Sequence, residues 1–134
     1  MEGVKIKPNL QFSVLCDDVR REDNGKFMLL GLFEAINSVK FPATHGAMFV
    51  ANRWCKGEGE FTQKIRILSA EDKSAVFQTD DQPFTLQDID SHHTLISKFN
   101  NLVFQKPGKY WVEVLLDNEL ELNYPLILKE AKKP

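Results

Sequence analysis

The chain has 134 residues, of which 43% are hydrophobic and 27% charged, a composition typical of one globular domain. Its 17 basic and 19 acidic side chains give a formal net charge of −2. Because nucleic-acid binding depends on basic residues that neutralise phosphates, this balance argues against a nucleic-acid partner. No apolar run approaches the roughly 18 residues of a membrane-spanning helix, so we expect no membrane partner.

The N-terminal segment and the two cysteines indicate the cellular compartment. Residues 1–10 lack the apolar core of a secretory signal. Without such a signal, Cys16 and Cys55 are expected to be reduced thiols that pack as small hydrophobic side chains. The sequence therefore predicts a cytoplasmic protein with a single domain over residues 1–134 and an ordered core over about residues 8–128.

Period-2 alternation of apolar residues, interrupted by regular turn signals, predicts β-strands along the chain. The first strand is expected over residues 10–19, and the turn at Asp23-Asn24-Gly25 returns the chain antiparallel. The second strand, residues 26–36, is apolar on both faces, so each face must be covered by this chain or by another copy. Gly31 interrupts that strand and favours a bulge.

The later segments continue the β pattern. A third strand is predicted over residues 47–56, followed by a strand with one polar face and a short strand over residues 74–79. Residues 80–91 are the least regular, with one helical turn allowed at residues 85–88. The final hairpin turns at Asp117-Asn118 and alternates most clearly. The count is seven or eight strands, which predicts an all-β antiparallel sandwich.

The closing segment, residues 101–128, resembles the last strands of immunoglobulin-like or C2-like sandwiches, in which a tyrosine after Pro-Gly packs at the end of the domain. Further segments carry a second resemblance: residues 16–22, Gly31, Phe41-Pro42, residues 57–61 and residues 107–110. On these segments the chain resembles a bacterial family of small all-β proteins of unknown function. That resemblance implies a sandwich fold and a bacterial cytosolic setting, and it brings no activity, cofactor or catalytic residue.

Common catalytic motifs are missing from the sequence, so we predict no catalytic residue and no cofactor. The candidate metal ligands are Asp88, Asp90, His92 and His93. Because adjacent strand residues point to opposite faces, the two histidines cannot easily share one ion. One interpretation is a small metal- or ligand-dependent enzyme that uses this region. The other is a solvated loop and the start of a strand.

Asp17, Asp18 and Arg53 lie in strands that are expected to be buried, where a charge needs a partner. Arg53 is the only basic residue in the middle of an apolar strand, and a guanidinium group suits a carboxylate. We predict a structural ion pair between Arg53 and Asp17 or Asp18. The functional alternative is an acid–base pair in a cleft.

The strands carry more apolar surface than one sandwich interior requires. Large exposed apolar patches mark interfaces, and most soluble oligomers are symmetric. The sequence therefore predicts a non-enzymatic binding or assembly module that self-associates through apolar sheet faces, and it leaves room for an unidentified protein partner. In the alternative arrangement, bulges direct both faces into a single core. The interface candidates are Met28, Leu30, Leu32, Met48, Val50, Trp54, Trp111 and Leu115.

Overall fold

Alternating apolar residues form ten β-strands, and residues 5–132, which the computed structural model describes, contain no helix. None of these residues therefore belongs to a helix long and apolar enough to cross a membrane. Residues 1–4, part of the segment inspected for a secretory signal, and residues 133–134 lie outside the described residues. The strands are β1 (Asn9–Arg21), β2 (Phe27–Leu32), β3 (Ala35–Ser38), β4 (Ala43–Cys55), β5 (Gly59–Ser69), β6 (Ala75–Gln78), β7 (Gln82–Leu86), β8 (His92–Phe104), β9 (Gly108–Leu116) and β10 (Glu119–Glu130).

The strands pair into two sheets. The first has the order β2-β1-β4-β8 and is strongly curled, and we call it the curled sheet. The second sheet has the order β3-β10-β9-β5-β6, with β7 also paired to β5. The predicted all-β class is confirmed. The predicted strand count was wrong, and the strands are not all antiparallel, because β3 runs parallel to β10.

Two of the predicted segments have different boundaries in the structure. The second predicted strand divides at Phe33 and Glu34, so that β2 lies in the curled sheet and β3 in the second sheet. Phe33 and Ile36, at and after the break, pack on the interior, whereas Met28, Leu30 and Leu32 before it are exposed. The section predicted to be irregular contains β7, which buries Phe84 and Leu86.

The interior lies between the two sheets and contains two clusters of buried side chains. The larger cluster combines Met48 and Val50 of β4 with Ile65 and Val112 of the second sheet. In the smaller cluster, the ring of Trp54 stacks on Phe84 with centroids 5.5 Å apart. Burying each such side chain contributes about 1.5–3 kcal/mol, so the sandwich holds together mainly through this layer.

A chain of amide side chains crosses the interior and joins the sheets. Gln63 Oε1 accepts hydrogen bonds from Asn52 Nδ2 at 3.1 Å and from Trp54 Nε1 at 2.8 Å. Gln63 Nε2 donates to Gln82 Oε1 at 2.9 Å, and Gln82 Nε2 donates to Ser97 Oγ at 2.9 Å. Because unpaired polar groups are costly in the interior, this network favours one alignment of the two sheets.

Candidate functional site

The hairpin formed by β1 and β2 lies outside the interior of the sandwich and folds over the outer face of the curled sheet. Strand β1 pairs with β4 as far as Cys16, and from Cys16 to Arg21 it pairs with β2. Within the described chain, β1 is the only strand with which β2 makes extensive contact. None of the residues 17–32 is fully buried. The hairpin is thus an arm whose surface is available for binding.

The arm and the outer face of the curled sheet enclose a cleft of about 660 Å³. This volume lies within the range of about 300–1,000 Å³ that is typical of small-molecule sites. The sheet supplies Phe12 from β1, Arg53 from β4 and Thr94 from β8. The arm supplies the opposite wall, which consists of Asn24, Gly25, Lys26, Phe27 and Leu29.

The β1–β2 ladder is interrupted at Gly31, near the base of the arm. The pair of Asp17 with Gly31 is missing from an otherwise continuous ladder, and Gly31 has φ +72°. The positive φ favours glycine, and a Cβ atom at this position would have to displace the exposed Asp17 carboxylate. The register is the same on both sides of this break, from Cys16 opposite Leu32 to Asp18 opposite Leu30, so the bulge predicted at Gly31 is not formed.

Apolar side chains cover the outer face of the curled sheet around the cleft. Directly paired residues on neighbouring strands share a face, and the register pairs Cys16 with Phe49 and Val14 with Ala51. Cys16 and Ala51 are both 0% exposed but belong to neither interior cluster. Their larger neighbours on this outer face must therefore cover them. The neighbours are Phe12, Val14, Phe49 and Ile96.

Arg53 supplies the charge on the sheet side of the cleft. Its side chain is half-buried, and its Nε atom is inaccessible to solvent and has no hydrogen-bond partner among residues 5–132. None of the ion pairs found in this part of the chain includes Arg53. Because a guanidinium group stays protonated in proteins, the cleft holds a positive charge beside the ring of Phe12.

The structure does not form the predicted ion pair between Arg53 and Asp17 or Asp18. Arg53 lies opposite Phe12 in the β1–β4 ladder, about 17 Å along the strand from Asp17 at the usual rise per residue. Asp18 instead pairs with Arg20, with 3.0 Å between Oδ2 and Nε. The hydrogen bond from Arg20 holds the pKa of Asp18 below its usual value.

The candidate metal ligands do not converge on one point. Asp88 Oδ1 accepts hydrogen bonds from Asp90 N at 2.9 Å and from Ser91 Oγ at 3.1 Å, so this carboxylate closes a local turn. The ring of His93 packs near Phe84, with centroids 5.6 Å apart, and His92 is exposed. Nowhere in residues 5–132 do three His, Cys, Asp or Glu side chains form a group that could hold a metal ion.

Only part of the predicted interface set is accessible. Met48, Val50 and Trp54 are 0% exposed because the second sheet covers that face of β4, and Leu115 is 6% exposed. The half-buried Trp111 has Lys109 Nζ 4.7 Å from its ring centroid. The exposed candidates are Met28 at 36%, Leu30 at 39% and Leu32 at 61%. All three belong to β2.

Sequence reasoning missed the other residues of the cleft. Phe12, Phe27 and Leu29 were assigned to strands, but the curl that brings the arm over the sheet has no local sequence signal. The available signal was Arg53 itself, a lone cation in an apolar strand. A comparable signal marked the interior network, because Gln63 lies between Phe61 and Ile65 on an otherwise apolar face.

A comparison with protein families places the chain in one of them. A model described as a family of unknown function (DUF6941) matches residues 11–129. The chain belongs to this family. The predicted resemblance to an all-β family of unknown function is thus confirmed. Among curated proteins, none matches this DUF6941 chain.

Solved structures with a similar fold are parts of larger proteins. An alkylpurine DNA glycosylase from Pseudomonas fluorescens, bound to DNA containing an abasic site analog, matches with a TM-score of 0.59 and 10% identity over 92% of this chain and 31% of that chain. A beta-glucosidase from Listeria innocua, in complex with isofagomine, matches with a TM-score of 0.54 and 10% identity over 96% and 17%. The DUF6941 chain therefore spans less than a third of either chain, and the likeness is one of fold alone.

Proposed function

We propose that the protein is a non-enzymatic binding and assembly module that self-associates through the free edge of β2. The observation that carries this proposal is the exposure of Met28, Leu30 and Leu32 on a strand that ends its sheet. Exposed sheet edges offer unpaired backbone groups to another chain, and proteins usually protect them with charged residues. No residue of β2 is charged.

A second copy of the chain fits this edge because β2 is self-complementary when two copies run antiparallel. If Leu30 lies opposite Leu30 of the other copy, Met28 faces Leu32. Apolar pairs across neighbouring strands are stabilising. This arrangement has two-fold symmetry, the commonest symmetry of protein dimers.

We further infer that the fold is an immunoglobulin-like sandwich. Support comes from the strand orders β1-β4-β8 and β10-β9-β5. They match strands A-B-E of one sheet and G-F-C of the other in that architecture. At the start of β9, Tyr110 Oη donates a hydrogen bond to the Lys106 carbonyl oxygen at 2.7 Å, like the tyrosine corner of such sandwiches. We also propose a cytoplasmic location, which the free, buried Cys16 and Cys55 support.

The proposed self-association is tested by light scattering of the wild type and two lysine variants over a range of micromolar concentrations. Leu30→Lys places a charge on the β2 edge opposite Asp18 of its own hairpin, so the arm itself is retained. Leu122→Lys is the matched control, because Leu122 is 38% exposed and Leu30 is 39% exposed. We expect a wild-type dimer, a dimeric Leu122→Lys variant and a monomeric Leu30→Lys variant.

Two results would overturn the proposal. One is a wild-type protein that stays monomeric throughout the concentration range. The other is dissociation of the Leu122→Lys variant to the same extent as Leu30→Lys, which would show that a charge anywhere on the apolar surface has the same effect.

A further inference from the structure

We propose that the cleft between the β1–β2 arm and the curled sheet binds an amphipathic carboxylate, with the apolar part of the ligand between the two walls and its carboxylate at Arg53. The proposal goes beyond self-association. It concerns the side of the arm that carries Phe27 and Leu29, whereas Met28, Leu30 and Leu32 do not line the cleft.

The two walls of the cleft offer apolar surface to a ligand from opposite directions. Phe12 contributes an aromatic ring from the sheet, and Phe27 and Leu29 contribute side chains from the arm. All three are half-buried, so a ligand between them would remove further apolar surface from water. The volume of about 660 Å³ is sufficient for a ligand of medium size.

The charges of the cleft favour a carboxylate as the polar group of the ligand. Arg53 and Lys26 line it, and none of the described residues that line it is acidic. The Arg53 Nε donor is buried without a partner, so a shift of the side chain that brings this donor to a ligand oxygen would remove the cost of leaving it unsatisfied. A guanidinium edge presents parallel N–H groups that match the two oxygens of a carboxylate.

A single negative charge fits the site better than a phosphate dianion. Arg53 is the only basic residue on the sheet side of the cleft, and Lys26 lies on the exposed arm, where water screens its charge. Thr94 lies opposite Arg53 in the β4–β8 ladder, so its hydroxyl can donate a second hydrogen bond to the same carboxylate. The site thus provides donors for one carboxylate beside an apolar surface.

The proposal is tested by calorimetric titration of the full chain with decanoate and with uncharged 1-decanol. We expect the wild type to bind decanoate, and we expect Arg53→Met to weaken that binding by about tenfold or more, as for the loss of a charge-assisted hydrogen bond. Binding of 1-decanol should not change in this variant. Arg20→Met is the matched control, because it removes one positive charge from the same arm outside the cleft and should bind decanoate like the wild type.

A second variant keeps the test decisive if Arg53→Met unfolds. Leu29→Glu places a carboxylate in the cleft from the arm, away from the interior clusters. We expect it to abolish decanoate binding with an unchanged thermal midpoint. The proposal is overturned if the wild type does not bind decanoate, if folded Arg53→Met or Leu29→Glu binds it as tightly as the wild type, or if Arg20→Met weakens binding equally. A monomeric wild type that binds decanoate would refute self-association and leave the cleft proposal standing.

Discussion

Replacing Gln63 by leucine removes the amide that links the two sheets and approximately conserves the side-chain volume. Gln63 is 0% exposed, and the change leaves three groups without their partner: Asn52 Nδ2, Trp54 Nε1 and Gln82 Oε1. Asn52 and Trp54 are also 0% exposed, so water cannot replace the lost acceptor there. Gln82 is half-buried, and water can reach it more easily.

The size of the effect follows from these three groups. Each buried polar group left unsatisfied costs about 1–3 kcal/mol, so the two fully buried donors together cost about 2–6 kcal/mol. The added leucine regains about 1–2 kcal/mol by transfer from water. The net loss lies between about 0 and 5 kcal/mol, and from the middle of both ranges we expect the free energy of unfolding to fall by about 2.5 kcal/mol. In a domain of this size, that loss lowers the thermal midpoint by about 10 °C.

Urea unfolding followed by tryptophan fluorescence measures this loss directly, because Trp54 is part of the network. Gln87→Leu is the control, since Gln87 is exposed in a loop and its replacement should change stability by less than about 0.5 kcal/mol. If Gln63→Leu is as stable as the control, the hydrogen-bond network contributes nothing that an apolar side chain cannot provide.

Three further predictions concern single side chains. Burial raises the pKa of Tyr124 to about 12, so absorbance titration should show one phenol ionising near pH 12 that is absent from Tyr124→Phe. Because this pKa is higher in the folded protein, Tyr124 stabilises the fold fully below about pH 10 and loses that contribution as the pH rises to about 12; ionisation near pH 10 would contradict the reasoning. Burial also raises the pKa of the Cys16 thiol, so Cys16 should react with a disulfide reagent much faster in urea than in the native state, and equal rates would argue against its burial. Gly31→Ala should cost more stability in thermal unfolding than Gly25→Ala, by about 1 kcal/mol or more, because both glycines have positive φ but only Gly31 faces a carboxylate. Equal losses would show that the contact with Asp17 is unimportant.

The strands could largely be predicted from local alternation, whereas the relation between sheets could not. The final hairpin turns at Asp117 and Asn118, which have φ of 47° and 69° as expected for residues that tolerate positive values. The prediction of one continuous second strand was wrong at Phe33 and Glu34, because apolar residues continue on both sides of the crossing from one sheet to the other. The alternation of apolar residues indicates that one face of a strand is buried, but it does not indicate which sheet the strand belongs to.

Among the residues of the candidate site, only Arg53 could be singled out from the sequence. Arg53 was conspicuous in the sequence, but its neighbours depend on the register of β1 with β4, and that register shifts between Leu10 and Phe12. The same register separates Arg53 from Asp17 and Asp18. Likewise, the apolar residues of β2 were identified as surplus, but their exposure depends on the arm lying outside the interior of the sandwich.

The parallel pairing of β3 with β10 has a consequence for how the domain is made. Ala35 lies beside Ile127, and among the described residues β10 is the strand that pairs with β3 in the second sheet. During synthesis, Ala35 of β3 must wait for 92 further residues before its partner Ile127 is made. Pairing over such a long stretch of sequence makes folding slow. Until then the apolar edge of β2 belongs to an incompletely folded domain. We therefore expect nascent chains to associate through this edge more readily than folded ones.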